Sequence, residues 1–396
     1  MTVDIKNSYL RIGKVLYKKS ERPIYDGSYK TSLIPWSLHL FSLEVENWRN
    51  EYRKLEKFDD FTFFPSHTHY KRNVNNYYNK YEPLPFKPIK GNCDSILDLI
   101  KHVFGDQYVL GLDYLAIMYR YPIQILPILC LVSSLTNTGK TTFLNFLKSI
   151  YGDNMALIGN EEFASQFNSN WTKGKILIGM EEVYLTDNKL SEKIKNASTA
   201  KVISSQSKGI DTSEIEFFGK FILVSNHEED FIYISKNETR FWIRKLEEIE
   251  NLDPFFGVKL TQEIPAFLYF LTNREISCPQ KTRMWFTAEQ IETEQLNKIK
   301  THFGDPIKYE VMEIVDELMQ ANDLKELKFN NSDMLKLLRV NGVKIRRMQL
   351  KKVLEQDLKL KHIGNSLNYE TYTMDQNGIP YKVEKKGKYY CIESSR

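Results

Sequence analysis

The run ILCLVSSLTNTGKTTFLNFL, Ile128 to Leu147, constrains this chain more than any other stretch. An apolar strand leads into a turn ending Gly-Lys-Thr, and an amphipathic helix follows, which is the setting a phosphate-binding loop requires. Backbone N–H groups of such a turn, with the positive end of the helix dipole, cradle phosphate oxygens. Lys140 would reach the terminal phosphates, and the Thr141 hydroxyl is placed to hold Mg²⁺. Gly139 lets the backbone approach where a Cβ would obstruct it. Ser134, Asn137, Thr138 and Thr142 complete the expected nucleotide contacts. Ser134 stands where the first glycine of G-x-x-x-x-G-K-[ST] is usual, so the turn must form without that residue's φ freedom.

Three further features follow in order. KILIGMEEV is an apolar strand ending in Glu181 and Glu182, at a position suited to one acid on the metal side and one that polarises water. Adjacent strand residues point to opposite faces, so the two acids should differ in task, with Glu182 the base and Glu181 the metal-side acid. GKFILVSN is a second apolar strand, and its terminal Asn226 could orient a water from the neighbouring strand. NETRFWIRKL then supplies Arg240, with Arg244 as second candidate, to neutralise charge building on a transferred phosphate. Taken singly, each has a plainer reading: an exposed strand-end acid pair, a turn asparagine, a surface arginine.

The rest of the chain divides around this region. Residues 1–92 form an N-terminal α+β region rich in Tyr and Phe, closing in the proline-rich linker YEPLPFKPIKG. Residues 93–122 have helical spacing broken near Gly105. Strand-like runs alternate with helix-length segments over 123–278, so the fold class is α/β with a parallel central sheet. Over 279–305, Thr287-Ala-Glu-Gln290 reads as a capping box opening a helix to about Phe303. Residues 306–396 hold three amphipathic stretches, near 308–319, 332–340 and 346–358, and two β-like runs about Asn377-Gly378, the outline of a winged helix.

Composition excludes few partners but several locations. With 55 basic and 51 acidic residues the net charge is +4, too small to name a partner. The four cysteines lie far apart without zinc-site spacing, so reduced thiols and a cytoplasmic setting are expected. No segment approaches the length of a membrane span, and no membrane partner is expected.

In this order and spacing, the phosphate loop, Glu181-Glu182, Asn226 and Arg240 resemble the motor of the superfamily 3 helicases, an AAA+ branch found in viruses, phages and plasmids. The resemblance covers roughly Ile96 to Leu246 and is nearest to phage helicases of the poxvirus-type primase-helicase group. It implies ATP and Mg²⁺, and a homo-oligomeric ring, usually a hexamer, with nucleotide between subunits and the arginine donated by a neighbour. It also implies translocation on single-stranded DNA and opening of forked DNA. Nothing in the chain resembles a polymerising primase centre, so any primase or polymerase partner would be a separate chain or an absent region. Such motors carry a β-hairpin with a basic residue that grips the nucleic-acid backbone. Here Lys201 to Gln206 and Ile210 to Phe217 flank Ser207-Lys208-Gly209, which puts Lys208 at the tip, with Lys201 the second candidate. Related proteins often carry a glycine pair and an acid just before this hairpin, where this chain has Thr199, Ala200 and Lys201.

Basic residues gather again near the C-terminus: Lys344, Arg346, Arg347, Lys351, Lys352, Lys359 and Lys361 around a helix, then Lys385, Lys386 and Lys388. Arg346, Arg347 and Lys351 are the candidates for nucleic-acid contact there, against the alternative of a solvated or protein-docking face. Two other classes of function compete with a helicase. One is a nucleotide-switched replication initiator or assembly factor that binds DNA without processive unwinding. The other is a remodelling or packaging ATPase acting on protein or duplex.

Overall fold

Aromatic runs at the start of the chain pair as strands, because alternating apolar residues present one face for burial. The computed structural model describes residues 4–23, 29–185, 187–209, 211–303, 306–343, 345–374 and 380–393. It divides into two compact units, each assembled from three stretches of chain. The first comprises Met1–Val183, Ile194–Asn226 and Leu246–Gln290; the second comprises Tyr184–Lys193, His227–Lys245 and Ile291–Arg396.

In the first unit, helix α1 (Ile5–Ser8) precedes β1 (Tyr9–Ile12), β2 (Val15–Pro23) and β3 (Tyr29–Trp36). After α2 (Leu38–Glu44) and α3 (Trp48–Lys54), β4 (Lys57–Phe58) joins β1 in parallel, giving the order β3-β2-β1-β4. Tyr9, Leu16, Phe41, Val45 and Leu55 form its core, with Tyr9 and Phe41 packed edge to face at 4.9 Å. A smaller sheet of β5 (Phe61–Thr62), β6 (Asn73–Val74) and β7 (Tyr77–Asn79) adjoins, and the proline-rich stretch after it has no regular element.

Helices α4 (Asp94–Phe104) and α5 (Tyr108–Arg120) follow, separated at Gly105, whose φ of 49° ends the first helix. The parallel sheet of this unit then forms from four-to-six-residue apolar runs: β8 (Ile128–Val132), β9 (Met155–Ile158), β10 (Leu177–Met180) and, after the β11–β12 hairpin (Val202–Ser205 and Ser213–Glu216), β13 (Lys220–Ser225). Every residue of β8, β10 and β13 is buried, as a sheet covered on both faces demands. The order runs β8-β13-β10-β9. Strand β9 is absent from the sequence reading; it is four residues long with Leu157 exposed, too short a run to stand out after a helix. Helices α6 (Lys140–Tyr151), α7 (Asn160–Ala164), α8 (Ser169–Thr172) and α10 (Phe256–Asn273) complete the unit, and α9 (Asn188–Thr199) begins in the second unit and ends in this one.

The second unit holds β14 (Phe241–Lys245), α11 (Glu294–Phe303), α12 (Pro306–Ala321), β15 (Glu326–Phe329), α13 (Asn331–Val340), α14 (Arg347–Lys352, continued as a wider turn to Asp357), β16 (Leu367–Met374), β17 (Pro380–Gly387) and β18 (Tyr390–Glu393). The three expected C-terminal helices are present, and so is the hairpin, β16 with β17; its expected turn at Asn377-Gly378 lies outside the described residues. The pair β15 with β18 was not read from sequence. Val311, Ile314, Val315 and Leu318 of α12 pack with Leu327, Leu338, Leu350 and Tyr390 in one core.

The expected capping box is a correction. Gln290 Oε1 accepts from Thr287 N at 2.9 Å and Thr287 Oγ1 from Gln290 N at 3.4 Å, but these bonds close a turn. The helix begins at Glu294, where Thr293 Oγ1 accepts from Leu296 N at 3.1 Å. Cys93, Cys130 and Cys278 are buried free thiols, and Cys391 is a half-buried one. Among the described residues no helix is long and apolar enough to cross a membrane.

Candidate functional site

The turn between β8 and α6 is wrapped around an ammonium. Lys140 is buried, and its Nζ donates to Ser133 O at 2.8 Å, Thr138 Oγ1 at 3.1 Å and Leu135 O at 3.2 Å. The loop is held from outside by Ser225 O, which accepts from Ser133 N at 3.2 Å, and by Ile249 N, which donates to Asn137 O at 3.0 Å. His102 Nε2 of α4 lies 3.0 Å from Thr138 O. Two residues take the left-handed conformation, Asn137 at φ 53° and Gly139 at φ 79°. A Cβ on Gly139 would sit 3.3 Å from Ile249 Cδ1. Ser134, Asn137 and Thr141 are exposed, Thr142 is half-buried and Thr138 buried. A cation in a tight turn at the start of a twelve-residue helix has the charge and dipole direction suited to an anion with several oxygens. Beside it opens a cleft of about 490 Å³, lined by Asn137, Gly139, Thr142, Asn145, Ile249 and Asn251 among others. Sequence reasoning missed His102, Asn145, Ile249 and Asn251; none belongs to a motif, and His102 and Ile249 reach the loop only through the fold.

The acids stand differently from the strand-based expectation. Strand β10 ends at Met180, so Glu181 and Glu182 lie past the sheet edge, both exposed, and Glu182 is left-handed at φ 50°. The alternation of strand faces therefore does not assign their tasks. This turn is pinned on three sides. Asn160 Nδ2 donates to Glu182 O at 2.9 Å, Val183 N to Val224 O at 2.8 Å, and Ser225 Oγ to Val183 O at 2.7 Å.

Asn226, exposed, directly follows β13. Because Val132 pairs with Ser225 and Met180 with Leu223 in parallel register, the loop of Lys140, the Glu181-Glu182 turn and Asn226 lie at one edge of the sheet. The strand of Asn226 runs between the other two.

The hairpin forms where it was expected, with shorter strands: Val202 pairs with Glu216 and Ser205 with Ser213. Asn168 holds it near the turn, donating to Ser204 O and accepting from Gln206 N, each at 2.9 Å. Lys208 and Gly209 lie in the turn beyond, Lys208 exposed and Gly209 at φ 76°. Lys201 is exposed at the opposite end, where its carbonyl accepts from Phe217 N at 2.9 Å, so the two lysines do not share a tip.

In the second unit, Arg240 is half-buried before β14. Its Nη1 donates to Glu238 Oε2 at 3.1 Å, while Glu238 Oε1 accepts from Arg240 N at 2.9 Å. Arg244 lies within β14, half-buried. Arg346, Arg347 and Lys351 are exposed at the start of α14 and along it, and Gln349 Oε1 accepts from Arg346 N at 3.1 Å. Lys344 lies outside the described residues.

The profile of a family of unknown function (DUF5906) matches residues 131–244, the stretch from the end of β8 to Arg244. No curated protein matches the chain. Among solved structures, the apo structure of the NrS-1 C-terminal region (305–718) is similar, with a TM-score of 0.60 and 15% identity over 98% of this chain and 97% of that one. Two A-form apo structures of the same NrS-1 region give 0.58 at 14% identity, over 98% and 97%, and 0.57 at 15%, over 96% and 95%. At these identities the likeness is one of fold, and it extends over nearly the whole of both chains.

Proposed function

We propose that the chain is an ATP-dependent ring helicase that moves along single-stranded DNA and separates duplex DNA during phage, viral or plasmid replication. In this reading the parallel sheet with its loop is an AAA+ P-loop core of superfamily 3 type, and residues 306–396 are a winged helix. The observation that carries it is the gathering of Lys140, Glu181, Glu182 and Asn226 at one sheet edge, with the strand of Asn226 in the middle.

Each residue then has a task. Lys140 and the N–H groups opening α6 bind the terminal phosphates of ATP. Thr141 and Glu181 would hold Mg²⁺, which neutralises phosphate charge when bound. The residues fit that group: a hydroxyl and a carboxylate are hard oxygen donors, and both side chains are exposed at their elements' ends. Glu182 takes the proton of the attacking water, and Asn226 orients that water. Arg240, with Arg244 as second candidate, supplies the guanidinium from a neighbouring subunit. Lys208 on its hairpin grips the strand in the ring's channel through backbone phosphate, independent of base sequence.

Glu182→Gln tests the reading. The variant should bind ATP and DNA as the parent does and lose turnover by about 10²–10⁴-fold, the usual weight of a general base. Undiminished unwinding of a forked duplex by this variant would overturn the assignment.

A further inference from the structure

The two groups of C-terminal basic residues meet at one place in the fold. A pocket of about 520 Å³ in the second unit is lined by Arg347 and Lys351 of α14, His362, Lys388 from the β17–β18 turn, and Asn330 and Ser332 at the start of α13. Arg346 is not among its lining residues, and no carboxylate is. Two acids touch its lining residues: Glu355, which accepts from Tyr390 at 3.0 Å and lies 3.8 Å from Lys351, and buried Asp333, whose Oδ2 accepts from Asn330 N at 3.1 Å. Lys385, next along the hairpin, is taken by Asp333, and Lys382 by Glu370 at 2.7 Å. Arg347 and Lys388 make no ion pair among the described residues. Both are exposed, as is His362, so their charge faces the pocket without a protein counter-ion.

The geometry points to a phosphate-binding pocket that seats the backbone of duplex nucleic acid. The ten-residue α13 starts at its wall, where Asn330 accepts from Ser332 N and Asp333 N. Met348 of α14 also lines the pocket and is 84% exposed. It lies between Arg347 and Lys351 on a short helix flanked by a two-stranded ribbon. A helix and a ribbon are the two elements that enter a duplex major groove, and a cationic pocket at their root is where a flanking phosphate would rest. This inference deepens the nucleic-acid part of the function proposed above by naming duplex as the form bound here.

The test is the salt dependence of duplex binding by the full chain, measured by fluorescence anisotropy on a blunt hairpin duplex. The variant carries Arg347→Ala and Lys388→Ala together; Lys352→Ala, an exposed lysine outside the pocket, is the control. Each lost phosphate contact removes about 0.9 from the slope of log K against log salt, so the double variant should lose about 1.8. The control should keep the parent's slope, and Arg347→Lys with Lys388→Arg should restore most of it. An unchanged slope in the double variant overturns the proposal. So does an equal loss on a single-stranded oligonucleotide of the same length, which would make the occupant single-stranded. Weakened binding of inorganic pyrophosphate with duplex binding intact would assign the pocket to a free phosphate and also overturn it. Failure here is separable from failure of the ATPase reading: Lys140→Ala should abolish hydrolysis and leave this duplex slope unaltered.

Discussion

Replacing Lys220 by methionine should flatten the rise of stability with pH just above neutrality. Lys220 opens β13, fully buried, with Nζ donating to Phe218 O at 3.1 Å and to Pro122 O. Burial pushes its pKa from 10.5 down to about 7. The sign follows from counting protons. Between these values the unfolded chain keeps the proton and the folded chain sheds it, so stability rises with pH across that window. Integrating one site with a folded pKa near 7 from pH 7 to about pH 8.5 gives roughly 1.6 kcal/mol, at about 1.36 kcal/mol per unit. For a unit of this size that is about 3–6 °C in Tm. His67 does not interfere: burial, with the charge of Lys220, holds it at about 3, so in the folded state it is neutral throughout. Buried Cys130, raised well above 9.0, would offset the trend at higher pH, hence the upper limit. Urea unfolding followed by circular dichroism at the two pH values would measure the difference. If parent and Lys220→Met gain equally, the titration does not belong to Lys220 and the reasoning fails. The absolute stability of the variant is a separate matter, since two carbonyls lose their donor.

Two other outcomes concern the proposed motor. Lys208→Ala should lower single-strand-stimulated ATPase and unwinding while basal ATPase and nucleotide affinity stay near the parent's; equal stimulation would return Lys208 to a plain turn lysine. Gly139→Ala should weaken nucleotide binding about tenfold, because a left-handed alanine costs about 1–2 kcal/mol at a φ of 79°. Shortening Ile249, whose Cδ1 is the nearest atom to the new Cβ, should recover little of it; calorimetry with an ATP analogue reads both.

Much of the sheet could be read from sequence because each central strand is an apolar run, and the candidate residues could be placed at one sheet edge because they follow those runs. The hairpin was legible for a similar reason, two β-capable runs around a Lys-Gly turn. What escaped depended on tertiary placement. The reciprocal bonds of Thr287 and Gln290 form as a capping box does, but a local motif does not say whether a helix or a turn continues from it. Strand β15 is four residues bounded by helices, and it becomes a strand by pairing with β18, some sixty residues later. In the N-terminal region the aromatic residues sort into separate small cores, one around Phe41 and one around Phe58, a division no periodicity announces. His102 touches the loop between β8 and α6 from a helix whose sequence reads only as amphipathic.

The two departures from simple motif expectation at the sheet edge have one explanation. The loop lacks the usual first glycine at Ser134, but Ser134 does not take a positive φ; the loop's left-handed residues are Asn137 and Gly139. Asparagine tolerates that region better than most side chains, so the φ freedom assigned to position 134 is met three residues later. Glu182 is the other left-handed residue of this edge, and glutamate has no such tolerance. Its conformation costs about 1–2 kcal/mol and is held by the bonds from Asn160, Val183 and Ser225. Glycine would meet the same backbone demand at position 182 without that strain. What glycine would lack is the carboxylate, the group to which the proposed function gives the proton of the attacking water.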